Sequence, residues 1–317
     1  MGDISLIDVP RDRPDDQRSD ERGDESSPSS RAGRQRRARS SARSRSRKGV
    51  GTYALRIFVI VYLFFLVAWP VSLVAQRTFE GGLDNLRGVL QDPDVMSAMR
   101  LTLVVAVVSV IINTLFGVSM SILLVRYEFR GKRLLSALVD LPLAVSPIVV
   151  GLSLVLVYGG REGWFGPTLE AAGFQVIYAL PGIILATTFV ALPLVIREVV
   201  PILEEVGTDA ERAAQTLGAN TWQTFWRITF PAIRWGIVYG VVLSLARSLG
   251  EFGAVKVVSG NLLGRTRTAT LVVEEKYLNF DKGGAYATAF LLALVAVACI
   301  VVVAIIRPDT SDDREDP

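Results

Sequence analysis

The chain has 317 residues, half of them hydrophobic, with a mean hydropathy of +0.40 and a formal net charge of +3. It contains no histidine and one cysteine, Cys299, which excludes histidine-based acid–base catalysis, histidine-ligated metals and an intrachain disulfide. Residues 51–306 carry 36 charged side chains, about 14% of their number against roughly 25% in soluble proteins, so the composition is that of an integral membrane protein with polar ends.

The two ends of the chain are polar. Residues 1–49 are rich in Asp, Arg, Ser, Gly and Pro, and they have too few apolar groups to offset the entropy lost on ordering. We predict a disordered cytoplasmic tail here and a short acidic cytoplasmic tail over 307–317. The basic run SRAGRQRRARSSARSRSRK allows binding to nucleic acid or anionic lipid, but it also orients the following helix by the positive-inside rule. We adopt the second interpretation and expect no nucleic-acid partner.

Six apolar stretches lie between the tails, and each is long enough to cross about 30 Å of hydrocarbon as a helix. The short loop over 126–133 is basic, as expected for the cytoplasmic side, and an even number of spans returns the C-terminus to that side. We therefore predict an all-α domain over 50–306, in contact with lipid in the cytoplasmic or inner membrane, with both termini cytoplasmic. Its predicted spans are 54–76, 100–125, 134–158, 178–200, 233–257 and 285–306.

Ionisable side chains within spans are candidates for function, because charge is costly in hydrocarbon. Arg247 and Glu251 lie one helical turn apart in the fifth span. They are either a paired structural couple or, in the case of Arg247, a group that faces a translocation pathway. Asp140 in the third span is either a pathway residue or a helix-packing or hinge residue, and Ser146, just before Pro147, is the remaining polar candidate.

The connection between the fourth and fifth spans has the pattern of two short helices around a glycine. Thr208 and Glu211 have the spacing of a capping box, and Gly218 is placed to end the helix in a left-handed conformation. Asn220 or Thr221 then caps a second helix, which carries the aromatic residues Trp222, Phe225 and Trp226. Such an element either docks into a cleft on another protein or lies as an amphipathic loop on the bilayer surface.

The chain has no G-x-x-x-x-G-K-[ST] sequence, and therefore no phosphate-binding loop of its own. We predict that it is not an enzyme: we expect no catalytic residue, no metal site and no cofactor.

The connection described above resembles the EAA loop of ABC-importer permeases. Arg212 stands at the position of the family's leading Glu, and Glu211 precedes it. The residues that match the A-A-x-x-x-G and I-x-x-P parts of the loop are Ala213, Ala214, Gly218, Ile228 and Pro231. The stretch GEFGAVKVVSGN is similar to the sulfate/thiosulfate branch of these permeases, and to its W-type subunit in particular. The similarity covers roughly residues 55–306.

The resemblance implies the type I ABC importer permease fold, with six transmembrane helices and an EAA-like coupling helix between spans four and five. It implies a subunit that forms half of the pathway for sulfate or thiosulfate, beside a second permease of the T type, and that receives the anion from an extracytoplasmic sulfate-binding protein. Separate ABC ATPase subunits would hydrolyse ATP. They would contact the coupling loop, whose residues are Glu211, Ala213, Ala214, Gly218, Trp222, Phe225, Ile228 and Pro231.

Two alternatives stay open at the level of the sequence. The first is a permease for molybdate or another oxyanion, because the related molybdate permeases share part of the GEFGA region. A stand-alone channel or secondary transporter belongs to a different class, and such proteins usually have an internal repeat or a proton or sodium relay of charged residues. We find neither feature in the sequence, which favours the ATP-driven permease.

Overall fold

The computed structural model describes residues 48–305. The predicted acidic tail over 307–317 and nearly all of the predicted N-terminal tail lie outside the described residues. Residues 48–305 form α-helices with two short π-helical segments, Phe64–Ala68 and Phe225–Thr229, and they contain no strand. The predicted all-α class is confirmed.

The chain divides into two compact units at the boundary between Leu66 and Val67. The first unit contributes helix α1, Lys48–Leu63, to the described residues. The helices of the second unit are α2 Trp69–Phe79, α3 Asp84–Gln91, α4 Pro93–Arg126, α5 Lys132–Ala144, α6 Pro147–Tyr158, α7 Gly166–Ala171, α8 Leu180–Val206, α9 Asp209–Thr216, α10 Thr221–Thr224, α11 Phe230–Leu249, α12 Gly253–Val258, α13 Ala269–Leu278 and α14 Lys282–Ile305.

Within the described residues, five helices are long and apolar enough to cross a membrane, and a sixth crossing is present if α5 and α6 together form one broken span. Each of the five overlaps a predicted span. They are Leu55–Phe79, Pro93–Arg126, Leu180–Val206, Thr221–Leu249 and Lys282–Val303.

The third predicted span is expected to be one helix. It consists instead of two helices, α5 and α6, which are bent by 113°. The break follows from Pro147, which has no N–H to continue the helix of α5 and restricts the residue before it to extended conformations. Val145 and Ser146 adopt such conformations, with ψ angles of 137° and 135°. The chain therefore changes direction at Ser146.

The fifth predicted span, 233–257, also differs from expectation, because α11 ends at Leu249. The next helix, α12, begins at Gly253. The Glu251 carboxylate accepts a hydrogen bond from the backbone N–H of Ala254 at 2.9 Å, so this side chain starts a new helix instead of continuing the old one. Glu251 thus lies in a break between helices and not inside a span.

The centre of the second unit is α8, on which α4 and α11 pack. Two glycines allow the backbones to come close, in the way that small residues do between membrane helices. A Cβ atom on Gly117 of α4 would lie 2.8 Å from Cγ1 of Val195, and one on Gly240 of α11 would lie 2.8 Å from its Cα. Val195, Val199, Leu203 and Ile233 form a buried cluster at this junction.

The two breaks lie next to each other. Helix α12, which follows the second break, packs on α6, which follows the first. A Cβ atom on Gly253 would lie 3.0 Å from Cβ of Pro147, and one on Gly151 would lie 2.9 Å from the carbonyl oxygen of Ala254. The fold therefore brings together the two points at which spans three and five are interrupted.

Candidate functional site

The region between α8 and α11, residues 208–231, is a helix–glycine–helix element, which we call the 208–231 segment. Its first helix, α9, ends in a Schellman motif: the N–H of Ala219 donates to the carbonyl of Ala214, and the N–H of Gly218 donates to the carbonyl of Gln215, both at 3.0 Å. Gly218 has a φ of +88°, a conformation that a side chain disfavours. The predicted end of the helix at this glycine is confirmed.

The second helix of the segment begins with a reciprocal cap at Asn220. The Asn220 side chain accepts a hydrogen bond from the N–H of Gln223 at 2.8 Å, and the Gln223 side chain accepts one from the N–H of Asn220 at 3.1 Å. This is a capping box, which fixes both side chains and the start of the helix. Of the two predicted caps, Asn220 is therefore the right one.

The other predicted capping box, Thr208 with Glu211, is wrong. Helix α9 does begin after Thr208, but the Thr208 side chain makes no capping hydrogen bond. The Glu211 carboxylate instead binds the Arg126 guanidinium, with Nε to Oε2 at 3.0 Å and Nη2 to Oε1 at 3.1 Å. It also accepts a hydrogen bond from the Thr229 hydroxyl at 2.8 Å. A charge-assisted hydrogen bond from a guanidinium is stronger than a bond between a carboxylate and a neutral backbone N–H.

The outer face of the 208–231 segment is apolar and exposed. Leu217 is 89% exposed and Trp222 is 69% exposed. The rings of Trp222 and Trp226 lie edge to face with centroids 5.5 Å apart, and Phe225 lies 5.2 Å from Trp226. The caps at Gly218 and Asn220 fix the turn between the two helices, and ring contacts hold the aromatic side chains, so the segment presents a fixed apolar surface of the kind that marks a partner-binding site.

The remaining matched residues of the segment surround this surface. Ala213 is exposed and Ala214 is half-buried. Ile228 lines a cavity of about 320 Å³ together with Ala214 and Gly218. Pro231 lies two residues after the π-helical segment, inside the continuous helix Thr221–Leu249, where it has no N–H to donate to the preceding turn. The segment thus offers a depression whose lining includes the small residues Ala214, Gly218 and Ala219.

Arg247 and Glu251 form an ion pair of 2.7 Å between Nη1 and Oε2. The Glu251 side chain is 2% exposed and that of Arg247 is 38% exposed, so the acid is enclosed while the guanidinium reaches the surface of this chain. The Thr270 hydroxyl donates to the backbone carbonyl of Glu251 at 3.0 Å, which fixes the break further. The structure therefore supports the paired interpretation for Glu251 and leaves Arg247 partly accessible.

Ser146 and Asp140, the other polar candidates, lie at different places. Ser146 is the N-cap residue of α6, adjacent to the break that contains Glu251, and its side chain makes no capping hydrogen bond. Asp140 instead pairs with Arg197 of α8 at 3.0 Å, which joins α5 to α8. The structure thus brings Ser146 to the break that contains Glu251 and its partner Arg247. Asp140 instead pairs with Arg197 of α8, away from this break.

Arg126 is the functional candidate that sequence reasoning missed. The sequence shows it only as one of the basic residues of a short loop. The charge of a residue at a helix end gives no sign of a partner 85 positions away, and the spacing of Glu211 from Thr208 predicts a capping box instead. Within the described residues, no group of three or more Cys, Asp or Glu side chains is placed to hold a metal ion.

Comparison with known proteins agrees with the resemblance. The chain is 48% identical over 251 residues to the sulfate transport system permease protein CysW of Synechococcus elongatus, which covers 79% of this chain and 87% of that protein. It is 36% identical to the sulfate transport system permease protein CysT of Escherichia coli K12, over 74% of this chain and 84% of that protein. The predicted resemblance to the W-type permeases is confirmed.

The fold also agrees with that of a solved transporter. The crystal structure of a bacterial ABC transporter involved in the import of the acidic polysaccharide alginate matches with a TM-score of 0.68 and 17% identity, over 80% of this chain and 94% of that one. Residues 113–312 match the family described as binding-protein-dependent transport system inner membrane component. With its several membrane-crossing helices, this multi-pass membrane protein belongs to the family of binding-protein-dependent transport system inner membrane components.

Proposed function

We propose that the chain is a membrane subunit of an ATP-driven importer of sulfate or thiosulfate and forms half of its translocation pathway. The observation that carries the choice of anion is the 48% identity to a sulfate transport system permease over most of both chains. The chain provides the translocation pathway and a contact surface for a separate subunit that hydrolyses ATP. We place the 208–231 segment and both termini in the cytoplasm.

The 208–231 segment is the contact for the ATPase subunit. Exposed apolar side chains on a loop outside the membrane lose their contact with water when a partner covers them, which makes such a patch a natural docking site. Leu217 and Trp222 are the most exposed large apolar side chains of the segment, and Leu217 also lines the depression beside Gly218. A helix end held by a Schellman motif and a second helix held by a capping box keep the patch rigid, which lowers the entropy cost of binding.

The two interrupted helices form the wall of the pathway. Arg247 reaches the surface of this chain beside the break between α11 and α12, and the break at Ser146 lies against that region. Irregular backbone at membrane depth is tolerated where it lines a cavity or is covered by protein. A divalent oxyanion passing this wall meets one guanidinium whose charge is already balanced by Glu251, so it is attracted without being held tightly.

Two further partners complete the importer. A second permease subunit of the T type supplies the other half of the pathway, and the CysT permease of the sulfate transport system is 36% identical to this chain. An extracytoplasmic sulfate-binding protein delivers the anion on the outer side, and the family to which the chain belongs depends on such proteins.

The test is uptake into proteoliposomes that contain this chain, a T-type permease and the ATPase subunit, with ATP enclosed and the loaded binding protein outside. We expect uptake of labelled sulfate and thiosulfate that requires both ATP and the binding protein, and little uptake of molybdate. Preferential uptake of molybdate would replace the proposed substrate. Uptake without ATP would assign the chain to the channels or secondary transporters instead.

A further inference from the structure

Arg126 lies where four parts of the fold meet at one end of the second unit. It is the last residue of α4, and its guanidinium donates to the backbone carbonyl of Leu203 in the last turn of α8 at 3.0 Å. The same guanidinium donates a hydrogen bond from Nη2 to Oε1 of Glu211 on α9 at 3.1 Å, and its Nε lies 3.0 Å from Oε2 in the same ion pair. One side chain thus joins the ends of two long helices to the 208–231 segment.

Glu211 extends this junction to α11. Its carboxylate accepts a hydrogen bond from Thr229, the last residue of the π-helical segment that leads directly into α11. Glu211 is therefore bound to α4 through Arg126 and to the start of α11 through Thr229. We call Arg126, Glu211 and Thr229 the clasp.

The clasp is largely buried and is specific in its geometry. The Arg126 and Glu211 side chains are 11% and 15% exposed, so water does little to screen the pair. The nearby ion pair between Lys132 and Glu128 is different: it is formed within four residues and Glu128 is almost fully exposed. An exposed pair of that kind contributes little to stability, whereas the buried Arg126 guanidinium is held by hydrogen bonds to both Glu211 and the Leu203 carbonyl.

The π-helical segment connects the aromatic patch to the clasp. A π-turn inside an α-helix has a wider turn with one extra residue, and such turns are frequent at functional sites. Phe225–Thr229 has this form, and it contains both an aromatic residue of the exposed patch and the hydroxyl that binds Glu211. A force applied to the aromatic patch therefore reaches the clasp through five residues.

We propose that Arg126 is a positioning residue that carries the movement of the 208–231 segment to α4, α8 and α11. This inference rests on the proposed docking of the ATPase subunit at that segment. Because Arg126 is enclosed behind the exposed face, it does not contribute to docking itself. Its role is to make the segment and the three helices move as one body, so that ATP hydrolysis is converted into opening of the pathway.

The experiment compares uptake per ATP hydrolysed in the reconstituted complex for the wild type and for Arg126→Gln, Arg126→Lys and Glu211→Gln. Coupling free energies between sites correspond to factors of about 5 to 150, so we expect Arg126→Gln to lower uptake per ATP about tenfold or more while the ATPase subunit still co-purifies. Glu211→Gln should have a similar effect, and the double variant should be no worse than either single one. Lys132→Gln, which breaks the exposed pair, is the matched control and should leave the ratio unchanged.

Two variants separate positioning from simple stability. Arg126→Lys keeps the charge but lacks the planar guanidinium that binds Glu211 and the Leu203 carbonyl together. Its protein level should equal that of the wild type, and its uptake per ATP should lie between those of the wild type and Arg126→Gln. The exchange Arg126→Glu with Glu211→Arg restores the ion pair without the bond to Leu203, and it should recover coupling above the level of Arg126→Glu alone. Wild-type uptake per ATP in Arg126→Gln would overturn the proposal, as would a loss of uptake that only follows protein level. Loss of the ATPase subunit from Arg126→Gln would also overturn it, by making Arg126 a docking residue. Retention of the ATPase subunit by variants of Trp222 would count against the proposed docking site and not against the clasp.

Discussion

The side chains of Arg247 and Glu251 form an ion pair of 2.7 Å although the helix that carries Arg247 ends between them, at Leu249. Glu251 is thus held in a turn, where its carboxylate also caps the following helix at Ala254. The pair ties the end of α11 to the start of α12. The same contact sets the angle at which the fifth span is interrupted.

Exchange of these two residues separates a structural role from a role in the pathway. Removal of one partner of a buried pair costs about 3–5 kcal/mol, but Arg247 is more than a third exposed, so we expect about 1–2 kcal/mol for Arg247→Met. Glu251→Gln keeps an oxygen that can cap Ala254 and should lose only the charge. We expect both single variants to reduce the protein level in the membrane, and the double variant to restore it.

Uptake by that double variant then gives the answer for Arg247. If the guanidinium attracts the anion, the double variant reaches the membrane at the wild-type level and still transports sulfate poorly, and this is the expected result. The measurement is the initial rate of sulfate uptake, normalised to the amount of chain in the membrane. Full transport at the wild-type protein level would remove Arg247 from the pathway.

The features that the sequence predicts correctly are local ones. Gly218 and Asn220 act on residues within five positions, so the pattern of residue types is sufficient to identify the ends of both short helices. The break at Ser146 also has a local cause, in Pro147, but the run of apolar residues around it hides the bend. Hydrophobicity sets which residues enter the membrane, and it carries no information on whether the helix is straight.

The features that the sequence does not predict depend on contacts between distant residues. The clasp joins positions 85 and 18 residues apart, and Glu211 has a closer possible role in capping its own helix. Asp140 and Arg197, 57 residues apart, lie in different predicted spans, and nothing in the sequence pairs them until the fold places α5 beside α8. The general rule that charges within spans are paired holds here, but the choice of partner requires the packing.

Replacement of Gly218 tests the shape of the 208–231 segment. Its φ is +88° and a Cβ atom would meet nothing within 4 Å, so the cost of a side chain is purely conformational, roughly 1–2 kcal/mol for Gly218→Val. Asn tolerates this conformation, so Gly218→Asn should keep most of the uptake. We expect Gly218→Val to insert normally and to lose most ATP-dependent uptake, because the patch is turned away from its partner.

The matched control for this prediction is Gly173→Val. Gly173 has a φ of +80° and equally open surroundings, but it follows α7, away from the 208–231 segment. It should suffer the same local strain without loss of coupling. Equal loss of uptake in both variants would show that strain itself, and not the position of the patch, is responsible.

The exposed aromatic patch should act mainly through Trp222. This side chain makes ring contacts on one side and faces solvent on the other, so Trp222→Ala should change the stability of the chain by less than about 1 kcal/mol. A central aromatic residue of an interface typically contributes about 2 kcal/mol or more to binding. We therefore expect the ATPase subunit to be lost from the variant on purification in detergent. Trp164, which is exposed to a similar extent in the loop between α6 and α7, is the control: Trp164→Ala should retain it.

The ion pair between Asp92 and Lys276 lies outside the membrane-spanning helices. It predicts that the stability of the fold depends on pH. Burial alone would raise the pKa of the Asp92 carboxyl, but the hydrogen bonds from Lys276 and from the backbone of Asp94, with the charge of Lys276, hold its pKa below the ordinary 3.8. Burial would likewise lower the pKa of Lys276, and the contacts with Asp92 and Asp281 raise it above 10.5. The pair joins the start of α4 to α13 at 3.1 Å.

A carboxyl with a lowered pKa stabilises the fold fully above its unfolded value of 3.8, and this contribution is lost as the pH falls through the folded value below it. An amine with a raised pKa contributes fully below 10.5 and loses the contribution as the pH rises through its folded value.

Asp92→Asn keeps the cap of α4 and removes the charge. We expect it to lower the free energy of unfolding by about 1 kcal/mol at pH 7, and the difference from the wild type should shrink as the pH falls below 3.8. Thermal unfolding in detergent from pH 7 to pH 3 measures this. Glu80→Gln, which breaks the exposed pair with Arg77, should show almost no difference at either pH, and a pH-independent loss in Asp92→Asn would mean that the side chain acts through packing and not through its charge.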